Sequence, residues 1–140
     1  MPCFDLDLSG TGMQICEFEL ILWIILEVLE EIDENSKLRF FEKQRFKLTL
    51  ANNELLKDSV LGTLNDYISF LQKFEEVELN FEWTGLTHSA MYHSLIPLIQ
   101  QIPLVSLNLS CIKLNFTFIS LFCEVISHLH SLIFLNLNQT

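Results

Sequence analysis

One hexad recurs along this chain. Leu104-Val-Ser-Leu107-Asn-Leu109 returns 28 residues later as Leu132-Ile-Phe-Leu135-Asn-Leu137. Twenty-eight residues before it stands Glu76-Val-Glu-Leu79-Asn-Phe81, and 31 earlier still Arg45-Phe-Lys-Leu48-Thr-Leu50. A fifth copy, Cys3-Phe-Asp-Leu6-Asp-Leu8, lies 42 residues ahead of the second. Apolar residues at alternate places predict strands near 3–8, 45–50, 76–81, 104–109 and 132–137. A unit repeating at such a period cannot bury its own apolar side, so neighbouring units must stack.

The intervening segments carry the helical period. Val60, Leu61, Leu64, Ile68 and Leu71 form one stripe, and Met91, Leu95, Leu98, Ile99 and Ile102 another, with Pro97 expected to distort or split that helix. Phe118, Leu121, Phe122, Val125, Ile126 and Leu129 form a third. In the first unit Ile15–Ile32 predicts a helix buried over most of its circumference, Trp23 included, followed by a break at Asn35-Ser36. A strand L-x-x-L-x-L, a turn and a helix, repeated about every 28 residues, resembles the leucine-rich repeats of the ribonuclease-inhibitor-like class. The second unit matches the consensus best, through Leu48, Leu50, Asn53 and Leu55; the other units hold Thr11, Thr84, Ile112 and Thr140 at the Asn place. The resemblance implies an α/β leucine-rich-repeat solenoid with a parallel concave sheet and convex helices. The competing fold is a generic α/β sheet of βαβ units.

At 140 residues the chain is read as one domain, 1–140, either whole or a piece lacking its C-terminal cap. Half the residues are hydrophobic, which excludes intrinsic disorder. The formal charge of −10 disfavours nucleic acid or an anionic membrane as partner. The apolar run Leu20–Leu29 is too short to span a bilayer, so no membrane span is expected. Cys3, Cys16, Cys111 and Cys123 lack zinc or redox spacing and read as free thiols packed like small hydrophobes. With no secretory signal visible, the expected location is intracellular, in a cytoplasmic, cytoskeletal or organellar assembly. The glycosylation triplets at Asn108, Asn115 and Asn138 are then read as chance occurrences.

Side chains alternate along a strand, so the residues between the core leucines should line the concave face: Asp7, Thr49, Asn80, Asn108 and Asn136. Two places further lie Ser9, Ala51, Glu82, Ser110 and Asn138. This stripe either receives a partner or forms a ladder of stacked amides. Trp83 is either an exposed anchor or a cover over the turn edge of the core. Lys37, Arg39, Lys43, Arg45 and Lys47 are a basic patch that either pairs with the acidic block Glu27–Glu34 or docks an acidic partner.

Catalytic chemistry is hard to find in these residues. His88 and His93, five apart, do not share a helix face, and His128 and His130 lie where a helix should end, so no metal is expected. No signature surrounds Cys111 or Cys123, and no phosphate loop exists, so no cofactor is expected. The reading is a non-catalytic protein–protein interaction or scaffold module, a subunit of a larger assembly. The alternatives are a small hydrolase-like α/β enzyme joining Cys111 or Cys123 to His88 or His128, and a regulatory subunit like the inhibitors and GTPase activators of the repeat class. Residues 83–140 hold only Lys113 and Glu124 as charges, so nothing guards the last strand. Leu132, Ile133, Phe134, Leu135 and Leu137 are therefore expected at an edge covered by another chain or by a continuation of this one.

Overall fold

The computed structural model describes residues 2–35, 41 and 44–138. Strands β1 (Cys3–Asp7), β2 (Arg45–Thr49), β3 (Glu76–Asn80), β4 (Leu104–Asn108) and β5 (Phe134–Asn136) form one parallel sheet in the order β1-β2-β3-β4-β5. Helices fill the connections: α1 (Ile15–Asn35), α2 (Ser59–Asp66) with α3 (Ile68–Leu71), α4 (His88–Ala90) with α5 (Ile96–Gln101), and α6 (Phe116–Ile126). The fold is α/β. Leu6, Leu48, Leu79, Leu107 and Leu135 lie opposite one another across the sheet, in the register that the hexad offsets predict. Beyond the first four strands the ladder continues: the N–H groups of Leu8, Leu50, Phe81 and Leu109 donate to the carbonyls of Thr49, Asn80, Asn108 and Asn136 at 2.9 Å.

One register departs from the offsets. Val77 pairs with Leu104 rather than Val105, and the ladder shifts before Glu78 meets Ser106. Pro103 stands just ahead and has no N–H to donate, although its carbonyl accepts from Val77 at 2.9 Å. The extra residue becomes a bulge at the strand's start. β5 is shorter than residues 132–137, because Leu132 still closes a turn onto the Leu129 carbonyl at 3.4 Å.

Phe46, Leu48, Val77, Leu79 and Leu107 project to one side and join Leu22, Leu26, Leu64, Met91, Leu98, Phe118 and Phe122 in a single core. Pro97 has its effect: Met91–Leu95 form a π-helical turn between α4 and α5. Widening the turn ahead of a proline relieves its clash with the carbonyl four residues back. The stripe Val60–Leu71 is not one helix. The Asn65 amide donates to the carbonyls of Leu61 at 2.8 Å and Ser94 at 3.1 Å, and at Tyr67 the backbone leaves the helical region.

Two expectations about burial are corrected. α1 buries only Phe18, Leu22, Leu26 and Leu29, and Trp23 is 52% exposed beside Leu20, Ile24, Val28 and Ile32. α1 packs on α2 and follows the edge strand β1, and among the described residues no further element covers its other side. The cysteines form no disulfide, but Cys3, Cys16 and Cys123 are exposed rather than packed. Lys37, Arg39, Lys43 and Thr140 lie outside the described residues. No described helix is long and apolar enough to cross a membrane.

Candidate functional site

The side of the sheet away from the core is open among the described residues, and three rows of side chains cross it. Asp5, Lys47, Glu78, Ser106 and Phe134 make the middle row; Asp7, Thr49, Asn80, Asn108 and Asn136 make the row toward the strand ends. Cys3, Arg45 and Glu76 begin the third. Arg45 donates from Nε to Glu76 at 2.7 Å and from Nη1 to Glu78 at 3.4 Å. The bond to Glu76 chiefly raises the Arg45 pKa. Arg45 therefore pairs across the strands, not with the acidic block of α1, where Glu30 pairs with Lys73 instead.

The asparagine row does local work first. Oδ1 of Asp7, Asn80, Asn108 and Asn136 accepts the N–H of Ser9, Glu82, Ser110 and Asn138 at 2.9–3.0 Å. Each closes the turn that follows its own strand, as Asp and Asn side chains do where the chain bends. The stacked-amide ladder is thus not formed among the described residues. The Ser9 hydroxyl adds a second bond to Asp7, and these two bonds hold the Asp7 carboxyl below the usual carboxylate range. Ser110 and Thr49 are buried, so neither is the accessible contact expected of it. Ser110 spends its hydroxyl on Asn108 at 2.7 Å, and Thr49 is closed in between its neighbours on β1 and β3.

β2 lacks an Asx residue at that place, and four residues further Asn53 does a different job. Its Nδ2 donates to the carbonyls of Leu8, Leu50 and Ala51 at 2.7, 3.0 and 3.3 Å, and its Oδ1 accepts from the Thr11 hydroxyl and Gly12 N–H at 3.1 Å. Thr11 and Thr84 substitute at the same place, reaching the carbonyls of Leu8 and Phe81 at 3.1 and 2.7 Å. Ile112 has no such group.

With their oxygens committed, the Nδ2 groups of Asn80, Asn108 and Asn136 hold no partner among the described residues. They point a row of donors outward at strand spacing, about 4.8 Å. Asn80 and Asn108 also line a recess of ≈ 250 Å³ with Lys47, Glu78, Ser106 and Phe134. Ser106 and Glu78 escaped the sequence reading, which weighed only the place between the core leucines; the alternation two residues earlier carried the signal. Phe134, expected at a covered edge, is 54% exposed and forms one wall of the recess. Ile133 is exposed with it, whereas Leu132, Leu135 and Leu137 pack partly against the core. Glu82 is half-buried and Asn138 exposed at the turn edge, outside the recess.

Trp83 is 47% exposed and lines a different groove, with Cys111. No histidine borders that groove. His128 donates from Nδ1 to the Glu124 carbonyl at 2.9 Å, an end cap on α6. Burial and Asp5 push the Cys3 thiol pKa up. Among the described residues no group of three metal-ligating side chains assembles. Compared with family models, with curated proteins and with solved structures, the chain finds no match in any of the three.

Proposed function

We propose that this chain is a non-catalytic protein-interaction module, a short stack of leucine-rich-repeat-like units whose open sheet face receives an extended protein segment. The observation that carries the reading is the row of unclaimed Nδ2 donors of Asn80, Asn108 and Asn136. Such a row offers hydrogen bonds to acceptors of a segment laid across the strands, and the recess beside Phe134 suits one of its side chains. The strand order supports the stack. It runs β1 to β5 without the reversal that marks a doubly wound sheet, and the sheet is covered on one face, whereas most parallel sheets are covered on both. What supports membership of a larger assembly is the exposure of apolar residues at both ends of the order: Leu20, Trp23 and Ile24 on α1, Phe116 at the start of α6 and Ile133 just before β5.

The test exploits Asp7, which closes its turn without an amide. In the double variant Asn80→Asp/Asn108→Asp each turn keeps its acceptor, but the outward donor becomes an acceptor. The tagged protein and the variant are passed through native extract, and what co-purifies is identified by mass spectrometry. A partner retained by the parent and lost by a variant of equal thermal stability supports the reading. A parent recovered alone as a monomer, or capture indifferent to the substitutions, removes it.

A further inference from the structure

We infer that the groove beside Trp83 is a second docking site, built for an acidic segment of a partner protein that presents one aromatic or branched apolar side chain. Its walls are Glu54, Lys57, Trp83, Gly85, Cys111 and Lys113, its floor the buried Leu86 and Ile112, and its volume ≈ 390 Å³. That is near the lower end of ligand pockets, roughly 300–1,000 Å³, and leaves room for one anchored side chain.

The backbone around it is unusual. Three residues after the Asx place, every one of the first four units turns through the left-handed region: Gly10 at φ 63°, Asn52 at 60°, Trp83 at 55° and Cys111 at 61°. Glycine and asparagine adopt that conformation readily; tryptophan and cysteine do so against a steric cost. Units three and four thus place strained side chains where the first two units show that relaxed ones serve, and both line this groove. Lys57 on the opposite wall is also left-handed, at 45°. Backbone strain gathers where a side chain must be held in place for binding.

Charge identifies the occupant. The molecule carries −10, yet the groove has two lysines against one glutamate. Lys57 and Lys113 form no ion pair among the described residues, and Asp58 next to Lys57 is engaged by the Thr87 N–H and hydroxyl at 2.8 and 2.6 Å. Carboxylates on either side of an apolar anchor would meet both lysines while the anchor packs against the Trp83 ring and the floor.

The test is an NMR titration of the full chain with short capped peptides, each holding four glutamates around a central alanine, leucine or phenylalanine, together with lysine-flanked counterparts. The expected result is that the leucine and phenylalanine peptides shift the backbone amides of Trp83, Cys111 and Lys113 and bind at least tenfold tighter than the alanine and lysine-flanked peptides. Trp83→Asn, copying the second unit, should cost at least tenfold in affinity with the fold intact. The exposed pair Lys57→Glu/Lys113→Glu should reverse the charge preference. The inference fails if no peptide shifts these amides, if charge makes no difference, or if Trp83→Asn binds as the parent does. It fails equally if the same amides shift with protein concentration alone, because the occupant is then a second copy. Shifts confined to the side-chain amides of Asn80, Asn108 and Asn136 would place binding on the sheet face and also overturn it.

Discussion

Asn53→Ala removes a buried polar side chain that ties the first two units together. Asn53 is fully buried, and the substitution takes one bond from each of three carbonyl groups and two donors. The Ala51 carbonyl keeps the Gly10 N–H at 2.8 Å, and the Leu8 carbonyl keeps the Thr11 hydroxyl at 3.1 Å. Thr11 and Gly12 are exposed, so water can replace what they lose. The carbonyls of Leu50 and Ala51 belong to buried residues, and the Leu8 bond is the shortest of the set at 2.7 Å. Charging only these three, at about 1 kcal/mol each, gives a loss of about 3 kcal/mol. In urea, with a slope of about 2 kcal/mol/M, the midpoint should fall by about 1.5 M without a change of slope. Asn53→Asp sharpens the test. It keeps the shape but turns an acceptor toward three carbonyls, so near neutrality it should be worse than alanine. Burial and the facing carbonyls raise the folded pKa of the new carboxyl, so the folded variant binds more protons than the unfolded chain over the window between the two values. Its deficit relative to the parent must therefore shrink as pH falls toward the unfolded carboxyl pKa. A loss below about 1 kcal/mol for Asn53→Ala, or a deficit for Asn53→Asp that grows on acidification, would refute the role given to this residue.

Leu107→Ala, at a fully buried position in β4, should cost about 2–5 kcal/mol in chemical denaturation; a surface-sized effect would mean the register is wrong. At the left-handed turn positions the signs should oppose. Gly10→Ala should lose about 1 kcal/mol although nothing lies within 4 Å of the added carbon, and Cys111→Gly should be neutral or gain up to about 1 kcal/mol by calorimetry. The Asp7 carboxyl, followed by NMR, should titrate below the usual range; its turn bond to Ser9 adds stability above the unfolded pKa and is lost as pH falls through the folded one. Cys16 and Cys123 should react with a thiol reagent in the native protein, and Cys3, whose pKa is raised, should react more slowly than a free thiol at the same pH.

The sheet was legible because strand pairing repeats one pattern: the spacings 42, 31, 28 and 28 are the registers, disturbed only at the start of β4, just after Pro103. The helices were legible as stripes, but their burial was not. A stripe reports where apolar residues lie and not whether a neighbour exists to cover them. Trp23 and Ile24 look like core in the chain, yet among the described residues they stay exposed on α1, which follows the edge strand. The candidate face was legible by alternation, while its chemistry was not. An asparagine between core leucines can ladder, cap or bind, and only the turn geometry shows that its oxygen caps while its amide stays open.

Comparison between units separates what the fold needs from what it carries in addition. Four of the five turns take an acceptor after the strand, and Asp7, Asn80, Asn108 and Asn136 supply it with or without an outward amide, while the turn after β2 has Thr49 there. Every turn of the first four units needs a left-handed residue, and Gly10 supplies one at no steric cost. The amides of the last three units and the strained Trp83 and Cys111 are therefore excess over the folding requirement, and both kinds of excess fall on β3, β4 and β5 and the turns that follow β3 and β4. The first unit carries neither. Interaction capacity is thus displaced toward the C-terminal side of the chain, where residues 83–140 hold only two charges and a partner can bury surface without stripping water from ionised side chains.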